Sequence, residues 1–433
     1  MSRNGLRPGP MPRRWLVELR AESDGVRISR GEGVSVWDDE DRRYLDLMNG
    51  ASALLGHGHA DVVAAITEQA ARVTGASPAV DLDIRDELIE ALSVLVPAPL
   101  SHVALCSTSD NALRRAAHMA QRTTGRPAII ATAGIERRMD GVDCVAHGDL
   151  AGVERLMSKR VAAVIAEPIH TDSDVTVPPP GYLSVIAGVA KRAGALLIVD
   201  ETRTALRAGT TLMCAADRVL PDILCLGDGI ANGLPIGVVV TRADVAAAAG
   251  SAMSDADGAG APLVCAAAAA TLRIACDPAF QAHVGMVGDH LLARLNALRL
   301  PEIRAVRGRG LIVVIETRNS ARPIVAALRE RGVLTAPSGS QRILLHPPLI
   351  LTRREADAAV EAVAAAILDL RRPRMAVVAP AAPEESVSAP RSGEPVAAAR
   401  RAVGLQAMTE LRGAAERAPR RLVRDLPDSG IPA

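Results

Sequence analysis

"ILCLGDGIANGLPIGVVV", residues 223–240, places an apolar run, an aspartate among glycines and a second apolar run side by side. The two runs have strand length and end at turn residues, so they read as strand, turn and strand. Working outward, "VAAVIAEP" (161–168) and "GALLIVDE" (194–201) are also short apolar runs, and each ends in acid. Helical stretches lie between them. Near-continuous apolar strands alternating with helices are the pattern of a buried, mostly parallel sheet. The runs "DVVAAITEQAARV" (61–73), "PLVCAAAAATLRIA" (262–275) and "VGMVGDHLLARLNALRL" (284–300) read as helices. So does "NALRRAAHMAQRTTG" (111–125), which stops at Gly125.

The flanks read differently. "GVSVWDDEDRRYLDL" (33–47) predicts two short strands around a turn. "LIVVIETR" (311–318), "RILLHPP" (342–348) and the helix of 353–372 predict a smaller α+β region. The expected organisation is a flexible lead at 1–25 and a first part of a small domain at 26–55. A large α/β domain at 56–280 and the rest of the small domain at 281–371 follow. The Pro/Ala/Arg-rich tail at 372–433 is expected to be mostly disordered, with one helical stretch.

Composition narrows the function classes. The chain has 433 residues, 49% hydrophobic, and a net charge of +1, so nothing in its charge selects nucleic acid or an acidic membrane. No apolar run reaches the roughly 18 residues of a membrane span. The basic N-terminus lacks the apolar stretch of a signal peptide. Six scattered cysteines with no CxxC pair suit a reducing compartment, so the expected location is cytoplasmic. His57 and His59 alone are too few ligands for zinc, and no metal site is expected. The chain holds one Phe, two Tyr and two Trp, so aliphatic side chains must build the core. It also has two lysines, Lys159 and Lys191; the other 48 of its 50 basic residues are arginine.

The ordered set "GVSVWDDEDRRYLDL", "LLGHGHADV", "VIAEPIH", "PPGYL", "LLIVDETRTALRAG", "PDILCLGDGIANGLPIG", "PLVCAAAAATL", "VRGRGLIVVIE" and "HPPLILT" resembles class III aminotransferases of the ornithine and acetylornithine type. The likeness runs from about residue 30 to 370. It implies the pyridoxal-phosphate fold type I: a mostly parallel large domain, a small domain built from both chain ends, and a dimer. Trp37, Tyr44 and Tyr182 stand where that family usually has aromatics.

The resemblance also implies a cofactor pocket, and its parts are altered here. Asp228 occupies the Schiff-base lysine position, and a carboxylate cannot condense with an aldehyde. Asp200 matches the acid that faces the ring nitrogen; capping of a nearby turn is the alternative role. Ser107, Thr108 and Ser109, followed by Asp110, match the phosphate cradle at a helix N-terminus. Helix capping by Ser109 or Asp110 explains those residues equally well. Asp257 replaces the threonine that the family sends from a partner subunit. The segment carrying the ring-stacking aromatic is shortened. Leu344 stands where an arginine clamps the substrate carboxylate, with Arg342 two residues earlier. Arg203 takes the place of a cofactor-contacting glutamine.

The expectation is therefore a degenerate member with no confident catalytic residue and no bound cofactor, acting as partner, scaffold or small-molecule-binding subunit. A homodimer is expected, with a heteromer with an intact aminotransferase as the alternative. An amine ligand would suit a cleft lined by Asp228, Asp200 and Asp257. The other alternative is an atypical transaminase that still uses pyridoxal phosphate. Neither nucleic acid nor membrane is an expected partner.

Overall fold

The computed structural model describes residues 26–48, 52–77, 80–132, 134–135, 138–171, 175–250 and 259–371. The lead at 1–25, Asp257 and the tail at 372–433 lie outside the described residues.

The strands, in chain order, are β1 (Ile28–Glu32), β2 (Ser35–Asp38), β3 (Arg43–Asp46), β4 (His102–Cys106), β5 (Ala128–Thr132), β6 (Asp143–Val145), β7 (Val161–Ala166), β8 (Leu196–Asp200), β9 (Ile223–Gly227), β10 (Gly237–Thr241), β11 (Ile303–Arg309), β12 (Ile312–Thr317), β13 (Val333–Leu334), β14 (Ala336–Ser338) and β15 (Arg342–Leu345). The helices are α1 (Ala60–Arg72), α2 (Asp83–Leu95), α3 (Ser109–Thr124), α4 (Leu150–Leu156), α5 (Tyr182–Ala193), α6 (Met213–Ala216), α7 (Ala243–Ala249), α8 (Pro262–Ala275), α9 (Pro278–Ala297), α10 (Arg322–Glu330) and α11 (Arg353–Arg371).

Seven strands form the central sheet in the order β4-β10-β9-β8-β7-β5-β6. The ladders β9-β8, β8-β7, β7-β5 and β5-β6 are parallel, and β10 alone runs against its neighbours β9 and β4. The apolar runs alternate between two cores because successive strand residues face opposite sides. Leu224 and Leu226 enter one core, with Val164, Val199 and Leu183 of α5. Ile223 and Cys225 enter the other, with Ile165, Ile198 and the α3 residues Leu113, Ala116 and Met119. Both faces are thus covered, which is why β7 is buried at every position.

With so few aromatics, the core relies on small and branched side chains. In α8, Ala266, Ala267, Ala268 and Ala269 are essentially fully buried. Their short side chains let α1 and α2 pack closely against this helix.

Strands from both regions of the chain then share a sheet. β13 pairs in parallel with β3, placing Val333 opposite Leu45. A third sheet runs β11-β12-β15-β14.

The 223–240 stretch folds as read. β9 ends at Gly227 and β10 starts at Gly237, with Gly227 opposite Gly237 in the ladder. Gly229 and Gly233 take φ of +100° and +110°, backbone that residues with a Cβ rarely adopt. The turn is therefore fixed by its glycines, whatever stands at 228.

Candidate functional site

The carboxyl ends of β4, β5, β7, β8 and β9 lie along one edge of the central sheet, because β10 reverses direction twice over between β4 and β9. That edge is where open α/β sheets place ligands. It brings together Ser107 to Asp110 after β4, Glu167 after β7, Asp200 at the end of β8 and Asp228 after β9.

These residues form two linked clusters. In the first, Ser109 Oγ donates to Asp228 Oδ1 at 2.5 Å and accepts from the Asp228 backbone N–H at 2.9 Å. Arg203 Nε approaches Asp228 Oδ2 at 3.4 Å. Asp228 is partly exposed, and Ser109 is buried. The Asp228 carboxylate is thus tied to the helix N-terminus and to one guanidinium.

The second cluster centres on Arg138, which the sequence did not single out. Arg138 Nη1 donates to Asp200 Oδ2 at 2.7 Å, and Nε donates to Asp110 Oδ1 at 2.6 Å. Nη2 donates to Thr202 Oγ1 at 3.2 Å, and Glu167 stands 4.0 Å away. The side chains of Arg138, Asp200 and Glu167 are almost wholly buried, whereas Asp110 is half exposed. Burial opposes the guanidinium charge, but Asp200, Asp110 and Glu167 outweigh it and hold its pKa above the ordinary value. Burial pushes the Glu167 carboxyl up, against a hydrogen bond from its neighbour His170 at 2.9 Å. His147, its pKa lowered by burial, bonds the Glu167 carbonyl oxygen at 3.0 Å and stacks on His170.

Asp200 also accepts from the Thr202 backbone N–H at 3.0 Å. It therefore caps a turn and pairs with a cation at once. This corrects the expectation that it lines a cleft for an amine: only 2% of the residue is exposed, and its charge is already met.

The remaining site residues fall as follows. Thr108 caps α3, its Oγ1 accepting from the Asn111 N–H at 3.2 Å, and Ser107 Oγ accepts from Asn111 Nδ2 at 2.8 Å. Arg342 shares a face of β15 with Leu344 and stands opposite Glu316 in the ladder. A cleft of about 200 Å³ remains open beside Ser52, Thr108, Ser109, Asp228 and Gly229. Lys159 and Lys191 are exposed and precede β7 and β8, at the opposite ends of those strands from Asp228.

Arg138 was missed because its segment, "GIERRMDG" (134–141), carries no periodicity. The signal was indirect: a short segment after β5 carries arginines, and the strand ends nearby are rich in acids.

Comparisons with known proteins agree with this architecture. The class III aminotransferase family model matches residues 19–135 and 136–367. A [LysW]-aminoadipate semialdehyde/glutamate semialdehyde transaminase of Pyrococcus horikoshii is similar, 31% identical over 373 residues that cover 80% of this chain and 97% of that protein. Acetylornithine aminotransferase of Myxococcus xanthus is 31% identical over 369 residues, covering 76% and 90%. Among solved structures, acetylornithine aminotransferase of Elizabethkingia anophelis superposes with a TM-score of 0.75 at 27% identity, covering 81% and 96%. An ornithine aminotransferase of Toxoplasma gondii, with partial occupancy of PLP at its active site, superposes with 0.77 at 27%, covering 82% and 93%. The chain belongs to the class III aminotransferase family, and its fold is the α/β fold of these enzymes.

The residues along this edge do not fit the PLP found at the active site of the Toxoplasma enzyme. Asp200, which the resemblance matches to a ring-facing acid, is bonded to Arg138, and Ser109, one of the three residues it matches to a phosphate cradle, is bonded to Asp228. No lysine reaches the edge among the described residues.

Proposed function

We propose that this chain is a catalytically degenerate class III aminotransferase, working as a partner, scaffold or small-molecule-binding subunit without pyridoxal phosphate. The observation that carries the reading is Asp228, held by Ser109 and Arg203 where the family has its lysine. A carboxylate offers no amine for an imine and leaves the proton shift without its usual base. The two lysines do not replace it. β7 alone, with six residues, separates its two ends by about 20 Å.

A symmetric homodimer is the simplest assembly. Pairing with an intact aminotransferase is the alternative, and co-purification from the native cell separates the two. The six free cysteines support a reducing, cytoplasmic setting. If the remaining cleft binds a ligand, Asp228 is its one carboxylate among the described residues, so a small amine is favoured.

A second reading, a working pyridoxal-phosphate transaminase, is favoured by the transaminase names of relatives that match across most of the chain. Purified protein supplied with pyridoxal phosphate, an amino donor and a keto acid separates the readings. Degeneracy predicts no turnover above an Asp200→Ala control. Turnover that the control lacks, or a borohydride-fixed cofactor on a lysine with loss of that turnover, establishes the second reading.

A further inference from the structure

We infer that Arg138 is a built-in occupant of the pocket: Asp200, Asp110, Glu167 and Thr202 form a guanidinium site that the chain fills from within, so this fold stands without a ring ligand. The inference rests on the reading above in taking Asp200 as the family's ring-facing acid.

Three observations support it. First, the fork is matched donor by donor: Nη1 to Asp200, Nε to Asp110 and Nη2 to Thr202, at 2.7, 2.6 and 3.2 Å. Planar guanidinium makes such a multiple match, and an ammonium does not. Second, the segment is anchored. Ile135 is fully buried, Met139 nearly so, and both enter the α3-side core. The Arg138 carbonyl oxygen accepts from Arg114 Nη2 of α3 at 2.8 Å, and its N–H donates to the Ile135 carbonyl at 2.9 Å. Gly134 lets the loop press onto His170, where a Cβ would meet the ring at 2.5 Å. Third, the charges need this occupant. Asp200 and Glu167 are buried on neighbouring strand ends, and unpaired they would repel each other in a dry site.

The occupant also sets what the pocket refuses. A pyridine ring reaching Asp200 must displace a buried, multiply bonded guanidinium. An anionic group arriving with it meets Asp110 and Asp228 at the same edge.

The test is chemical rescue read by stability, not by activity. Arg138→Ala should lower the Tm by several degrees, and methylguanidine should restore part of that loss in a saturable way. Methylguanidine should leave the wild type and the Arg138→Ala/Asp200→Ala double variant unmoved. Pyridoxine phosphate, which has no aldehyde and reads occupancy alone, should not raise the wild-type Tm. If Arg138→Ala does not fold alone, the yield of folded protein refolded with methylguanidine present, against methylammonium, replaces the Tm as the reading. No rescue, or a saturable Tm rise of the wild type with pyridoxine phosphate, overturns the inference. A wild type that binds pyridoxine phosphate yet shows no turnover ends the inference and leaves standing the catalytic degeneracy of the proposed function. Turnover without that binding does the reverse.

Discussion

Ser109 and Asp228 close a two-bond ring: the serine hydroxyl donates to the carboxylate at 2.5 Å and accepts from the same residue's backbone N–H at 2.9 Å. The ring joins the N-terminus of α3 to the turn after β9, 119 residues apart in sequence. The serine suited to hold an anion from outside holds one supplied by the chain. The aspartate is thus a working part of the local structure.

Removing one partner of this ring is the first test. Ser109→Ala leaves the Asp228 N–H without its acceptor and a partly buried carboxylate without its closest donor. Hydrogen bonds to charged groups contribute about 1.5–3 kcal/mol, and partial exposure of Asp228 favours the lower end. A urea-unfolding loss of roughly 1–2 kcal/mol is expected. A change within about 0.5 kcal/mol, the ordinary scatter of surface substitutions, would mean the ring contributes little.

Close approach gives the second. An ideal Cβ at Gly227 falls 2.1 Å from Ser109 Oγ and 3.1 Å from the Ile236 carbonyl oxygen. Gly227→Ala must therefore push Ser109 away from Asp228 or part β9 from β10. Overpacking of a tight site costs about 1–3 kcal/mol. In Ser109→Ala the obstructing oxygen is gone, so the double variant should lose less than the two single losses added together. Additive losses would place the clash elsewhere.

Placing a lysine at 228 should not by itself produce transaminase chemistry. Asp228→Lys exchanges an anion for a cation next to Arg203 Nε and breaks the ring with Ser109. Asp200 stays bonded to Arg138 in that variant. The expected result is a less stable protein, by about 1–3 kcal/mol, without transaminase turnover. Turnover comparable with an intact relative would mean that position 228 is the sole lesion.

The fold was legible in the sequence because its strands are nearly pure apolar runs and its turns carry glycine. Residues 223–227 and 237–241 form β9 and β10 for those reasons. The direction of β10 was not legible: an apolar run does not say whether it will lie parallel, and the short turn at 228–236 returns the chain beside β9. The site was legible where side chains follow strand ends. Asp200, Asp228 and Ser109 meet on one edge, and Arg203 reaches Asp228. Arg138 was not legible, because a loop arginine is placed by three-dimensional charge balance. "GIERRMDG" carries no periodicity or motif that singles out Arg138.

A last prediction concerns His346, which follows β15 and precedes Pro347 and Pro348. Burial, helped by the charges of Arg207 and Arg203, lowers its pKa to about 3. Its Nε2 is buried without a hydrogen-bond partner, so no acceptor awaits a second proton. Above the ordinary 6.5 the ring is neutral in both folded and unfolded chains and adds no pH dependence. As pH falls below 6.5, the unfolded chain binds a proton that the folded chain refuses. Stability must then decrease, at up to about 1.4 kcal/mol per pH unit, and level off near the folded pKa. Part of the residue is accessible, so that slope is a ceiling. His147, also lowered by burial, adds to the slope in the same direction. Urea unfolding at pH 7, 6 and 5 should therefore show wild-type stability declining more steeply than that of His346→Gln, whose amide does not titrate. Equal slopes in the two proteins would show that His346 takes up its proton as readily in the folded chain as in the unfolded one.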